Sequence, residues 1–174
     1  MRILVIFDGS NFYHQAKNLC PELHLTDFGY RLLAEEIAGS TGVSIDYCVG
    51  EIKRRKGDKI SERLYSGQQS LFYSLEKQKI MIEKGFMLKS KGIYHEKGVD
   101  VRIALNILKG ALKNTYDTCY LISSDTDMIP AIKDARGEGK TIVYVGFENF
   151  ISNALKANCS KTYIIKKKLL KRMK

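Results

Sequence analysis

The sequence predicts an α/β protein, a three-layer α/β/α sandwich around a mainly parallel sheet. Two observations point there. Short apolar or β-branched runs (Ile3–Phe7, Val43–Val49, Cys119–Ile122 and Thr141–Val145) alternate with stretches whose apolar residues recur at helical spacing. Ile3–Phe7 is also apolar without interruption, as a strand covered on both faces requires.

Each element follows from local signals. Ile3–Phe7 runs into Asp8-Gly9-Ser10-Asn11, a strand ending in a turn. Asn11 to Leu19 suits a helix closed by Pro21, and a second helix spans Asp27 to Ala38, with Asp27 as N-cap and Gly39 as terminator. Val43–Val49 is the next strand, and a basic loop covers Lys53 to Lys59. From Ser61 to Lys84, Leu64, Leu71, Leu75 and Ile82 keep helical spacing until Gly85. Phe86–Leu88 and Gly92–His95 read as short extended pieces. Val99, Ile103, Leu105, Ile107 and Leu108 predict a largely buried helix ending between Gly110 and Lys113. Cys119–Ile122 is a strand capped by Ser123-Ser124-Asp125-Thr126-Asp127. A helix over Met128–Arg136 tolerates Pro130 in its first turn. Thr141–Val145, Ile151–Lys156 and Thr162–Ile165 supply strand, helix and strand. One domain over residues 1–165 with a basic tail at 166–174 is expected, without internal repeats.

Bulk properties narrow the function. The longest purely apolar run has five residues, whereas a membrane span needs about 20. No secretory signal is legible, so a cytoplasmic location is expected. Cys20, Cys48, Cys119 and Cys159 lie far apart without a C-x-x-C pair, which favours reduced, buried thiols over zinc ligands. A net charge of +10 favours polyanionic partners. It concentrates at Lys53, Arg54, Arg55, Lys56 and Lys59, and again at Lys166, Lys167, Lys168, Lys171, Arg172 and Lys174. The second cluster reads equally as a solvated end or as a phosphate-binding one. A homodimer stays open.

The chemistry concentrates in carboxylates. Ligands of such sheets bind beyond the carboxyl ends of the strands, where the strand order reverses. Asp8 follows the first strand, Asp125 and Asp127 follow Cys119–Ile122, and Asp100 lies in the first turn of a helix. Ionised carboxylates brought together repel one another unless protons or a cation neutralise them. Oxygen-only ligands favour Mg2+, Mn2+ or Ca2+ over zinc. Two such ions about 4 Å apart can clamp an in-line phosphoryl displacement. Each acid also has a plainer reading as a cap or turn residue, Asp127 above all. Asn11 can ligate, orient Asp8 or start a helix, and Ser124 can hydrogen-bond a carboxylate or phosphate or serve the turn alone. His14, His24 and His95 read as surface or packing residues.

Three blocks in order, residues 6–12 (IFDGSNF), 97–105 (KGVDVRIAL) and 121–130 (LISSDTDMIP), resemble the NYN domain (LabA-like) family of the PIN-like nuclease superfamily. Residues 139–146 (GKTIVYVG) resemble its next strand, so the likeness covers about residues 1–165. It implies a PIN-like fold, with Asp8, Asp100, Asp125 and Asp127 around one or two Mg2+ or Mn2+ ions and Asn11 in support. It also implies cleavage of RNA by metal-activated water. Where family members carry Phe after the acidic pair, this chain has Met128, a conservative apolar change. Cys20 to Gly92 holds no motif to carry over, and substrate choice is expected there. Backbone phosphates are expected to meet Lys53, Arg54, Arg55, Lys56, Lys97 and Ser124, with Tyr65, Tyr73 or Tyr94 stacking bases if not simply packing. RNA is thus the expected partner, with DNA open from the residues alone. Two other classes remain: an RNA-binding regulatory module with little or no cleavage, and a haloacid-dehalogenase-like phosphatase. The phosphatase wants an Asp where Ser10 stands.

Overall fold

A computed structural model describes residues 1–90 and 93–173, without the side chains of residues 89, 90 and 93–95. The strands are β1 (Ile3–Asp8), β2 (Val43–Gly50), β3 (Met81–Ser90), β4 (Ile93–Lys97), β5 (Thr118–Ile122), β6 (Thr141–Phe147) and β7 (Lys161–Ile165). The helices are α1 (Gly9–Leu19), α2 (Tyr30–Ala38), α3 (Lys59–Lys77), α4 (Val99–Leu112), α5 (Ile129–Gly137), α6 (Asn153–Asn158) and α7 (Lys167–Lys171). All strands join one sheet in the order β4-β3-β2-β1-β5-β6-β7. Every pairing is parallel except β3 with β4. This is the expected α/β/α sandwich.

Side-chain alternation along the strands divides the core in two. Ile3, Val5 and Phe7 of β1 face one side, with Tyr47 of β2 and the buried faces of α1, α2, α3 and α7. Leu4 and Ile6 face the other, with Cys48, Cys119, Leu121 and the buried faces of α4, α5 and α6. Because the period is two, Asp8 follows Leu4 and Ile6 toward α4. Ser123 follows Cys119 and Leu121 to the same side. The four cysteines are buried and free, as their spacing suggested.

The chain moves outward from β1 to β2 and β3, returns through α4, and resumes at β5 on the other flank of β1. The strand order thus reverses at β1, and the crevice beyond Asp8 lies between oppositely running crossovers.

Several expected boundaries shift. The Ser61–Lys84 helix ends at Lys77, and β3 begins at Met81 as a full parallel partner of β2. Ile82 sustained the helical period by coincidence, while the actual stop is Gln78 and Lys79, the latter at φ 55°. Leu64, one of the residues that kept helical spacing, is 52% exposed on α3, and Leu105 of the largely buried α4 is also exposed. Asp27 does not cap α2, which starts at Tyr30 behind Gly29, although Gly39 does end it. The C-terminal stretch is not a frayed basic end: Leu169, Leu170 and Met173 are buried against the first core half. Gly29 N–H donates to the Met173 carbonyl at 2.8 Å. Lys171 and Arg172 pair with Glu22 and Glu36 at 3.0 and 3.4 Å.

Candidate active site

Asp8 does two jobs at the end of β1. It is the N-cap of α1, where its Oδ1 accepts from Asn11 N–H at 3.1 Å. Its Oδ2 accepts from the Ser123 hydroxyl at 2.7 Å. The same Ser123 oxygen accepts from Asp125 N–H at 3.0 Å, so one hydroxyl ties the loops after β1 and β5 together. A second tie lies beside it: Asn11 Nδ2 donates to Ser124 Oγ at 2.7 Å, and Ser124 N–H donates to Asn11 Oδ1 at 3.2 Å. Asn11 therefore spends both ends of its amide holding the Asp125 loop. Its side chain thus meets Ser124 rather than Asp8, which receives only its backbone N–H.

Asp100 arrives from the other direction. Gly98 adopts the left-handed conformation at φ 80° and turns β4 abruptly into α4. Asp100 is thereby set in the first turn of α4, exposed at the cleft. Asp8, Ser10, Asn11, His14, Glu96, Val99, Asp100 and Asp125 line one open cleft of about 280 Å³. Asp127 faces solvent at its margin, where its N–H closes a tight turn on Asp125 Oδ1 at 2.9 Å. It does not cap α5, whose N-cap is Met128 without a side-chain hydrogen bond. Met128 itself is fully buried, consistent with an apolar requirement at that position.

A carboxylate absent from the sequence expectation also lines the cleft. Glu96, on β4, turns its carboxylate into the cleft, where Ser10 Oγ donates to Oε2 at 2.6 Å and Gly50 N–H donates to Oε1. A Cβ on Gly50 would stand 2.8 Å from Glu96 Cγ, so only glycine lets that carboxylate lie against β2. No turn or spacing marks Glu96 in the sequence, and only its register on a paired strand does. His14, exposed on α1 as a surface residue, also borders the cleft.

The electrostatics record the crowding. Burial pushes Asp8 up to about 6, assisted by the charges of Asp100 and Glu96 and opposed by the hydrogen bonds from Ser123 and Asn11. Asp8 is only 5% exposed, so its carboxylate is poorly hydrated. Asp100 is also raised, by partial burial first and then by Asp125, Glu96 and Asp127. Among the described residues, no three His, Cys, Asp or Glu side chains stand close enough together, as they lie, to hold a metal ion. The donor set is nevertheless all hard oxygen and carries excess negative charge, the chemistry that suits Mg2+ or Mn2+.

The basic loop leaves the same sheet edge. Residues 51–58 follow Gly50 without regular structure until Asp58 caps α3. Lys53 and Arg55 border a separate groove with Met87, and Arg54 pairs with Glu62 at 3.4 Å. Lys97 is exposed one residue beyond Glu96. None of these four, nor Lys56, lines the acidic cleft itself. Tyr73 lies at a distant groove between α3 and β3, with Lys77 Nζ 4.4 Å above its ring. Tyr65 is half-buried, and the side chains of Tyr94 and His95 lie outside the described residues.

Comparison with known proteins agrees with this architecture. A protein of unknown function from Vibrio parahaemolyticus has a similar solved structure, with a TM-score of 0.62 over 94% of this chain and 92% of that one. At 17% identity the likeness concerns the fold alone. An uncharacterized protein of Methanocaldococcus jannaschii is 30% identical over 108 residues, covering 62% of this chain. The chain spans only 42% of that relative's length. The NYN domain profile matches residues 2–166, almost the full length. The chain therefore belongs to the NYN domain family, within the PIN-like nuclease superfamily.

Proposed function

We propose that this protein is a ribonuclease that hydrolyses RNA phosphodiester bonds with the help of Mg2+ or Mn2+. The observation that carries the proposal is the meeting of Asp8, Asp100, Asp125 and Glu96 in one cleft at the switch point of a PIN-like sheet. These four carboxylates would hold the ion, and Asp127 at the rim would add charge where a second ion or the leaving oxygen lies. When bound, the ion supplies an activated water and neutralises charge developing on the phosphate.

The chain's own residues do the positioning. Ser123 and the Asn11 N–H fix both oxygens of Asp8. The Asn11–Ser124 pair keeps the Asp125 loop against α1. Ser10 and Gly50 orient Glu96. Such partners of ligating carboxylates typically matter by about 10- to 100-fold in metal affinity. Lys53, Arg54, Arg55, Lys56 and Lys97 would draw the strand towards this edge through its phosphates, giving affinity that falls with salt. Asp8 must shed a proton before it can ligate, so metal affinity should weaken as pH falls through about 6.

The test is end-labelled RNA and DNA incubated with the purified protein in Mn2+, Mg2+ or chelator. Cutting of RNA should require metal and drop by about 100-fold or more in Asp8→Asn and Asp125→Asn. Glu96→Gln should lose at least about tenfold. Tight RNA binding without cutting under any metal would replace the nuclease by a regulatory RNA-binding module. Hydrolysis of phosphomonoesters alone would replace it by a phosphatase.

A further inference from the structure

A second cavity adjoins the acidic cleft. It has a volume of about 500 Å³ and lies between α1, α3 and the end of β2. Ser10 and His14 line both spaces, so the two form one continuous depression. We propose that this cavity is a base-binding pocket that takes one unpaired nucleobase of the strand whose phosphate lies in the acidic cleft. The inference rests on the ribonuclease reading for the identity of that strand. It makes the substrate single-stranded at the bound position.

The walls suit a flat aromatic ligand. Tyr13 of α1 is 50% exposed at the cavity, and Leu64 of α3 is 52% exposed opposite the sheet, two large side chains that no core requires. Leu71 and Tyr47 form apolar surface below them. The volume falls within the range of small-molecule sites, about 300 to 1,000 Å³. The frame is fixed rather than collapsible. Gln68 Nε2 donates to the Gly50 carbonyl at 2.8 Å, and Gln68 Oε1 accepts from Ile52 N–H at 2.7 Å, which pins α3 to the end of β2. At Gly67, a residue in mid-helix, an added Cβ would meet nothing within 4 Å. The missing side chain leaves the cavity open where most helical residues would narrow it.

Charge selects a nucleotide over a neutral apolar ligand. Arg63 lines the same cavity, is exposed, and makes no hydrogen bond or ion pair among the described residues. An unengaged guanidinium beside an apolar slot, on a chain of net charge +10, favours a ligand that is aromatic at one end and anionic at the other. Bases in a duplex are stacked and paired, whereas an unpaired base can be splayed out and stacked on an aromatic side chain. The duplex is therefore excluded from this pocket by its own geometry.

The test reads binding rather than cutting, in the Asp8→Asn background, with a short single-stranded RNA carrying 2-aminopurine or an abasic site at each position in turn. Gly67→Phe fills the pocket from open space, and Tyr13→Ala removes its exposed ring without touching the core. Each should weaken single-stranded binding about tenfold and leave duplex binding unchanged. An abasic site at one position should cause the same loss, with no further loss when combined with Gly67→Phe. Equal binding by both variants, or an abasic scan without a sensitive position, overturns the pocket. So does a change in oligomeric state of Gly67→Phe with RNA binding intact, which would mark the cavity as a protein contact. The two proposals fail separately. A wild-type protein that never cuts but keeps the base-dependent binding loses only the nuclease, and one that cuts normally after Gly67→Phe with a flat abasic scan loses only the pocket.

Discussion

Asp46 shows what a half-buried carboxylate outside the cleft does to this molecule. It lies on β2 facing α4, where burial, then the charge of Glu83, raise it to about 6 and the Asn106 amide at 3.0 Å opposes the rise. An acid raised in the folded state is protonated more readily there than in the unfolded chain. Its stabilising contribution is complete below the unfolded value near 4 and is lost as pH climbs through about 6. Asp46→Asn keeps the shape and removes the charge. It should match the wild type near pH 4 and exceed it by up to about 3 kcal/mol near pH 8, as about two pH units of differential proton affinity imply. Denaturant titration at both pH values in chelator checks this, and a pH-independent difference would contradict it. Asp8 pulls in the same direction, so the metal-free protein carries two sources of weakness above about pH 6. At this scale much of the site was legible. Asp8, Asp100 and Asp125 sit at strand ends and a helix start, positions that local sequence marks. Glu96 was not, because a strand residue between His95 and Lys97 is recognisable only once its pairing with Met87 is known.

Among the elements, α7 departs furthest from expectation. Five residues cannot hold a helix by themselves, and six basic side chains in the last nine positions masked its apolar side. Leu169 and Leu170 of α7, with Met173 in the turn just after it, join the first core half. Leu170 is fully buried. Leu170→Ala should destabilise the protein by about 2–4 kcal/mol in equilibrium unfolding, the usual cost of a large-to-small core change. A loss below about 0.5 kcal/mol would mean that α7 is not docked. The start of β3 was hidden too, because Met81, Ile82, Glu83 and Lys84 alternate too weakly to announce a strand, whereas Phe86–Leu88 within it did read as extended. Parallel pairing with β2 supplies the missing specification. By contrast β1, β5 and β6 are nearly uninterrupted apolar runs, and their position in the sheet's interior explains why they were plain from sequence.

For the whole molecule, the fold class followed from alternation of segments, and the strand order followed from nothing local. The order matters because it alone brings the two ends of the site together. Ser123 and Asp8 are 115 residues apart along the chain, and Asn11 and Ser124 are 113 apart. That separation has a kinetic consequence. Closing so long a loop is entropically costly, and parallel pairing of distant strands comes late in folding. The acidic cleft has no existence before β1 and β5 are in register. An ion that binds it can therefore reward only the finished state. Added Mg2+ should leave the refolding rate unchanged within about twofold and slow unfolding in proportion to the stability it confers. Stopped-flow chevrons with and without Mg2+ decide this, and a refolding limb that accelerates with metal would show a site formed early. If the limb stays put, the hydroxyl of Ser123 marks the last stitch of the fold, and the cation governs how long the native molecule lasts rather than how soon it arrives.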